Sequence, residues 1–374
     1  MSGTRSDNLR QGMQVIRLPN GRLEETFITI PGIEAEEPAS LFQRLHGFLA
    51  DHTQLRIVRQ DVFGLVMDPI QWPDAQNGHR NGDGWPVTWI LEGNGDGCPV
   101  AGIQVHAVAG ATVQPIVLGG RTVGVVFEDA IARYCILGGL QPADARAPRG
   151  TQAWETFERL EEALRQAGMD FSHVYRTWFY LDDILEWYGE FNQVRDQFFC
   201  ERRVFDGLVP ASTGVGGSNA SGTAVVADAL AIRPRNPGSG VSLQAIPSPL
   251  QCPALEYGSS FSRAVELTLP GQRRLYVSGT ASIAPGGLTL HKGDVGRQVA
   301  VTMDVVAAIL DSRGLGWGDV IRAIGYFKHA EDAPDFGAYC HERGLPNLPV
   351  IIAKNDICRD DLLFEIEVDA ARLE

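Results

Sequence analysis

No stretch of this chain approaches the roughly 20 consecutive apolar residues that a membrane-spanning helix needs. The N-terminal segment, MSGTRSDNLRQGMQV, has no apolar centre that could serve as a secretory leader. The expected setting is the cytoplasm, with no membrane partner. Paired metal ligands are missing too. The six cysteines (Cys98, Cys135, Cys200, Cys252, Cys340, Cys358) are scattered without a CxxC, and the eight histidines form no HxxxH or HxH pair. Reduced thiols are expected, with no disulfide framework, no protein-bound metal and no organic cofactor. Positive charge is also short: 32 Lys and Arg against 46 Asp and Glu leave a net charge of −14. That balance argues against nucleic acid as a partner. It does not exclude a small anionic substrate, because a local arginine cluster can override the global field. The Gly-rich run Pro210–Gly217 lacks GxxxxGK(S/T), which removes a nucleotide-phosphate loop.

What is present is an ordinary globular composition, 44% hydrophobic and 21% charged, over 374 residues. That length suits two or three domains. It also holds an internal repeat. Gln152, Gly168, Val174, Arg176 and Tyr180 recur as Gln298, Gly314, Val320, Arg322 and Tyr326, at a constant offset of 146. A shared offset across several residue types outweighs any single match. In each copy, apolar residues at helical spacing (Phe157, Leu160, Leu164; Val301, Val305, Val306, Ile309) predict an amphipathic helix. Gly168 and Gly314 sit where a helix C-terminus favours positive φ. A strand, a second helix (about 183–199 and 332–343) and two more strands follow, giving a β-β-(β)-α-β-α-β-β module. The domains read as an N-terminal extension (1–95) packed on the first module, a first module (96–234), a turn-rich linker (235–254) and a second module (255–374). Residues 75–98, rich in Asn, Gly and Asp, read as loop.

The two modules differ at their ends. The second closes with Phe364-Glu365-Ile366-Glu367-Val368, which puts Glu365 and Glu367 on one face of a strand and the apolar residues on the other. The first closes with Val225-Val226-Ala227-Asp228, with Ala227 about where Glu365 belongs. One chemically equipped copy implies one site per chain, in the second module near its junction with the first, and a first module that is non-catalytic scaffold. Glu367 reads as a structural or solvent-facing neighbour. The run Trp178-Phe179-Tyr180, with Trp187, Tyr188 and Phe191, reads as core.

Ser278-Gly279 in a strand, the helix-Gly-strand segment, the Pro-rich lead-in Leu345–Pro349 and the closing FEIE resemble the YjgF/RidA superfamily. The resemblance implies an α+β fold of two tandem RidA/YjgF-like (chorismate-mutase-like) modules, each a mixed β-sheet backed by two helices, with an N-terminal extension. It also implies three-part barrel assembly, with ligands in clefts between units. The tandem arrangement narrows this further. Arg176–Ile184, Phe191-Asn192, Pro210–Gly217 and Tyr257–Arg263 together are similar to the chorismatases, over about 100–374. That family splits chorismate into pyruvate and a ring product. It implies that Glu365 is the functional carboxylate. A cysteine seven residues before the catalytic Glu marks the 3-hydroxybenzoate formers, and Cys358 stands there.

Read as chemistry, Glu365 in a semi-apolar cleft suits a general acid that protonates the enol ether's methylene carbon. Cys358 would steer the resulting cation toward the ring hydroxyl and away from water. The two carboxylates of chorismate call for arginines. Arg343 is the first candidate, followed by Arg263 and Arg176, with Arg133, Arg149 and Arg322 weaker. Tyr257 offers a hydroxyl, and Ala281 leaves room for a ring. Alternatives stay open: hydrolysis to a dihydroxycyclohexadiene carboxylate, mixed 3- and 4-hydroxybenzoate formation, an enamine/imine deaminase, or a non-enzymatic small-molecule-binding protein. The deaminase needs an Arg fifteen residues before the Glu, and Val350 is there instead. The chain would act as a monomer with pseudo-oligomeric modules or as a homo-oligomer such as a trimer.

Overall fold

The computed structural model describes residues 12–33, 36–64, 84–91 and 101–374. Cys98 and most of the 75–98 stretch lie outside them. Three sheets organise the chain. The first is built from β1 (Gln14–Asn20), β2 (Leu23–Pro31), β3 (Arg56–Phe63), β4 (Val87–Ile90) and β5 (Gly102–Ala109), in the order β1-β2-β5-β3-β4. Helix α1 (Pro38–Asp51) covers it, burying Leu41, Phe42, Leu45 and Phe48. The second comprises β6 (Gln114–Leu118), β7 (Arg121–Glu128), β8 (Ala132–Leu140), β9 (Val174–Leu181), β10 (Ala211–Gly216) and β11 (Val225–Pro234), backed by α2 (Arg149–Gln166) and α3 (Ile184–Glu201). The third comprises β12 (Ser242–Ile246), β13 (Ala264–Leu269), β14 (Gln272–Ala281), β15 (Val320–Phe327), β16 (Val350–Lys354) and β17 (Phe364–Leu373), backed by α4 (Val295–Ser312) and α5 (Pro334–Glu342).

The α+β class and the two helix-backed mixed sheets agree with the sequence reading. Gly168 and Gly314 take φ of 68° and 67° directly after their helices. Two expectations change. The 235–254 linker contains β12, which pairs with β13 as an edge strand. The N-terminal region is not an extension laid on the first module. It forms its own sheet, and that sheet includes β5, which lies beyond the boundary expected at residue 96. From β4 through β3, β5 and β2 to β1, this sheet repeats the strand order and pairing sense of the other two. Hydrophobic pattern and pairing are common to the three, whereas the helix-Gly-strand signature is confined to the second and third. The sequence comparison therefore had nothing to match in the first.

The sheets turn one face to their helices and the other to a shared interior. Phe63, Tyr180 and Tyr326, one from each sheet, meet there, with ring centroids 5.8 and 6.2 Å from Phe63. Next to them lies a buried charge network around Trp178. The guanidinium carbons of Arg59, Arg176 and Arg322 lie 3.7, 4.2 and 5.2 Å from the ring centroid. Arg59 bridges Asp61 (2.9 Å) and Asp228 (3.0 Å). Arg322 bridges Glu367 (2.7 Å) and Asp61 (3.3 Å), and Arg176 donates to Glu367 (3.0 Å). The Trp178 indole N–H also donates to Glu367, at 2.8 Å. Each sheet supplies one arginine and at least one carboxylate, so the network locks the three together. Breaking a buried pair strands the remaining charge. Asp228→Ala is accordingly expected to cost about 3–5 kcal/mol, measured as a lower urea midpoint of unfolding.

A candidate active site between the second and third sheets

Two strands meet edge-on where the second sheet joins the third. The Ser212 N–H of β10 donates to the Ser278 hydroxyl of β14 (2.9 Å), and the Gly279 N–H of β14 donates to the Thr213 hydroxyl (3.1 Å). Beyond β16, Asn355 donates to the Gly216 carbonyl (2.7 Å), and the Gly216 N–H donates to the Asp356 carbonyl (2.6 Å). This clamps the β16–β17 connection, which carries Cys358, against β10. A cleft opens at the junction. The third sheet contributes Gly279, Ala281 and Glu365. Ser212 and Gly214 of β10, with Tyr188 and Arg195 of α3, form the opposite wall. Ser259, Phe261 and Arg263 enter from the segment before β13, and Cys358 and Arg359 from the last connection.

Glu365 is 5% exposed and pairs across the sheet with Ala281 on one side and Tyr326 on the other. Phe364, Ile366 and Val368 point to the helix-side core, as the alternation predicted. Among the described residues, the Glu365 carboxylate makes no hydrogen bond. Burial, and then the charge of Glu367, push its pKa up to about 8, against the opposing pull of Arg176 and Arg263. It therefore carries its proton at neutral pH. A Cβ on Gly279 would collide with Oε1 of Glu365, so any side chain there would push the Glu365 carboxyl group aside. Cys358 packs against Ala281, Ile283, Ile357 and Leu362. Burial and then Glu365 push its thiol up to about 12, so it is neutral.

The structure thus brings Glu365, Cys358, Arg263 and Ala281 into one cleft. Two expected arginines lie elsewhere. Arg343 caps the C-terminal end of α5 on the outer helix layer, with its side chain 50% exposed and 4.0 Å from Asp304. The Pro-rich lead-in that follows it runs along the outside before β16 enters the sheet. Arg176 is fully buried and spent on Glu367, Thr213 and the Thr177 carbonyl. It stands behind the cleft wall because strand alternation points it to the interior. Arg322 joins the same interior network, Arg133 pairs with Glu128, and Arg149 pairs with Asp183 and Glu186 at the surface. The side chain of Tyr257 lies outside the described residues.

Ala227 is displaced as well. Val226, not Ala227, faces Tyr180 as Glu365 faces Tyr326. The constant offset of 146 does not extend to the closing strands, since α3 has 18 residues and its counterpart α5 has 9, so it could not align them. The corresponding position opposite Phe63 in the first sheet is Gly102. Glu367 is fully buried. Burial alone would raise its pKa, but the guanidiniums of Arg322 and Arg176 bring it down to about 2.

Residue-by-residue reading missed Tyr188, Arg195 and Arg359. Arg195 lies one turn beyond the quoted Phe191-Asn192 and donates to Asn192 at 2.7 Å, and that i, i+3 spacing was the available signal. Tyr188, read as core, packs at the edge of that core, stacked on Phe191 with ring centroids 6.3 Å apart, and also lines the cleft. A second, narrow cavity lies inside the barrel, around Glu25, His106, Tyr134, Tyr175, Arg274 and Tyr276. Its charges are paired: Arg274 with Glu25, and His106 with Glu25 at 2.9 Å.

Glu365 binds its proton more tightly folded than unfolded, where a Glu titrates near 4.5. The native state therefore loses stability as pH rises from 4.5 to about 8 and is level above that. Glu365→Gln is expected to be more stable than the parent, by a margin that grows across that window, measured by thermal unfolding at several pH values.

Comparison with known proteins agrees with this geometry. The family described as chorismatase FkbO/Hyg5-like, N-terminal, matches residues 126–229. A 3-hydroxybenzoate synthase of Streptomyces hygroscopicus is 28% identical over 263 residues, 63% of this chain and 73% of that protein. A chorismatase of Streptomyces rapamycinicus is 33% identical over 215 residues, 51% of this chain and 62% of that protein. A solved chorismatase structure superposes with a TM-score of 0.64 over 84% of this chain and 93% of its own, at 22% identity, which is a likeness of fold. With its three sheets and its cleft, the chain is similar to the FkbO/Hyg5-like chorismatases.

Proposed function

We propose that this chain cleaves the enolpyruvyl ether of chorismate to pyruvate and 3-hydroxybenzoate, in the cleft between the second and third sheets. The observation that carries the reading is a buried, protonated carboxylic acid, Glu365, sharing a cleft with three guanidiniums (Arg195, Arg263, Arg359) and a neutral thiol (Cys358). Chorismate is a dianion, and guanidinium recognises carboxylate through paired, charge-assisted hydrogen bonds. Arg263 is buried and its Nε donates to the Cys252 carbonyl at 3.0 Å, which fixes the plane of its fork.

Glu365 donates its proton to the methylene carbon, which becomes the methyl group of pyruvate. The carboxylate left behind stabilises the oxocarbenium ion. The neighbouring ring hydroxyl then attacks the ring carbon that bears the ether, the ether C–O bond breaks to release pyruvate, and the resulting epoxide opens with loss of the ring proton, which keeps the reaction isomeric: pyruvate and 3-hydroxybenzoate together hold the atoms of chorismate. No water is consumed, and the proton lent by Glu365 is returned as the ring aromatises. Capture by water would give the dihydroxycyclohexadiene product instead. Cys358, with Ala281, Ile283, Ile357 and Leu362 around it, keeps that side of the cleft apolar and disfavours water there. Val350 packs against the helix-side core, so the guanidinium that a deaminase would use is not at that position. One chain supplies both walls of the cleft, so no second subunit is needed to complete it.

Three outcomes test this. Incubation with chorismate should release pyruvate and an aromatic acid in equal amounts, followed by chromatography, and Glu365→Gln should lower kcat by roughly 10²–10⁴-fold. Cys358→Ala should divert product toward the hydrated diene while pyruvate release is partly retained. Unchanged product would remove Cys358 from the mechanism. Arg263→Ala should raise KM about 10–100-fold, whereas Arg343→Ala, on the outer surface, should leave both constants unchanged.

A further inference from the structure

Glu365 does not stand alone on its face of β17. Glu367 follows two residues later, about 6.5–7 Å along the strand. The two acids have opposite surroundings. Glu367 is fully buried and accepts from Arg176, Arg322 and Trp178, so it is permanently ionised. Glu365 touches the cleft and accepts nothing among the described residues. One side chain ties the two environments together. The Thr213 hydroxyl accepts from Arg176 (2.7 Å) and from the Gly279 N–H (3.1 Å), and its own hydrogen serves Glu367. Gly279 is the backbone against which Glu365 rests. The charged centre behind the wall is thus joined to the floor of the cleft through one residue.

The titratable and charged groups around Glu365 come from several elements, while the cleft residues of β10 and β14 contribute none. Glu367 lies on its own strand, Arg176 comes from β9 and Tyr326 from β15. Arg263 precedes β13, Arg195 and Tyr188 come from α3, and Cys358 and Arg359 from the last connection. Cations outnumber anions, which alone would favour an ionised Glu365. Arg176 pulls toward the ionised form, and its ion pair with Glu367 means that each offsets part of the other's effect on Glu365. The guanidiniums of the cleft wall face the space that a substrate dianion would fill, and once neutralised they no longer favour the carboxylate. Glu367 lies on the dry side, where no ligand reaches it.

We propose that Glu367 is a positioning residue that acts through Glu365: its fixed negative charge keeps the neighbouring acid protonated while the cleft fills. The proposal rests on the reading of Glu365 as the proton donor and adds what holds the proton in place. The charge of Glu367 is the second cause, after burial, of the upward shift of Glu365, which agrees with this role. It also favours the return of the proton at the end of the cycle, since two adjacent carboxylates repel.

The test follows Glu365 itself as well as turnover. The carboxyl ¹³C resonance of Glu365, assigned by its loss in Glu365→Gln, is titrated in ligand-free protein labelled at glutamate. The native midpoint is expected near 8, and Glu367→Gln should lower it by about one to two units. Glu367→Asp, which keeps the charge, should hold most of the native shift. The basic limb of kcat against pH should move with the midpoint, and low pH should restore turnover to Glu367→Gln. A native midpoint in the ordinary carboxylate range overturns the proposal, even if Glu367→Gln does not fold. Turnover lost equally at all pH values, with the midpoint unmoved, also overturns it by leaving Glu367 a merely structural part. A shifted midpoint in a protein that does not consume chorismate would keep the coupling and remove the proposed reaction instead.

Discussion

Three arginines gathered around one indole ring hold this protein in shape. Each comes from a different sheet, and each is partnered by a carboxylate from another sheet. Burying so many charges is tolerable only when all are paired and hydrogen-bonded. That requirement is strict about geometry in a way that apolar packing is not, because a rotation of one sheet would strand ions in a dry interior. Glu367, the acceptor shared by two of the arginines and the indole, lies on the same strand face as Glu365. The interior network therefore fixes the height and direction of the cleft acid as a by-product of closing the barrel.

Much of this could be read from the residues. The constant offset located two helix-backed sheets, and the alternation of FEIEV put both acids on one face. What could not be read has physical reasons. The first sheet shares strand order with the others but not the residues that make the repeat visible, so it looked like an appendage. Arg176 and Arg263 are equally plausible ligands on paper; only the turn of β9 into the interior separates an arginine spent on Glu367 from one that lines the cleft. Arg343 directly precedes the Pro-rich segment, but nearness in sequence does not carry across a helix end that faces outward. Arg195 lay one helical turn from a motif already noticed, and its importance depends on a wall contributed by a neighbouring sheet, which no local pattern reveals.

The site also shows how a neutral acid and a neutral thiol arise in a protein of strongly negative charge. Neither state depends on the global field. Burial disfavours both anions, and in each case a nearby carboxylate reinforces it: Glu367 for Glu365, and Glu365 for Cys358. The guanidiniums of Arg176 and Arg263 work the other way on Glu365 and are outweighed.

At the position that Glu365 occupies in the third sheet, the second has Val226 and the first has Gly102. In a ring of identical subunits, any substitution at this position is copied to every seam at once, and so is its cost. Placing the three sheets on one polypeptide removes that obligation. One seam is free to specialise for reaction while the other two are given over to cohesion.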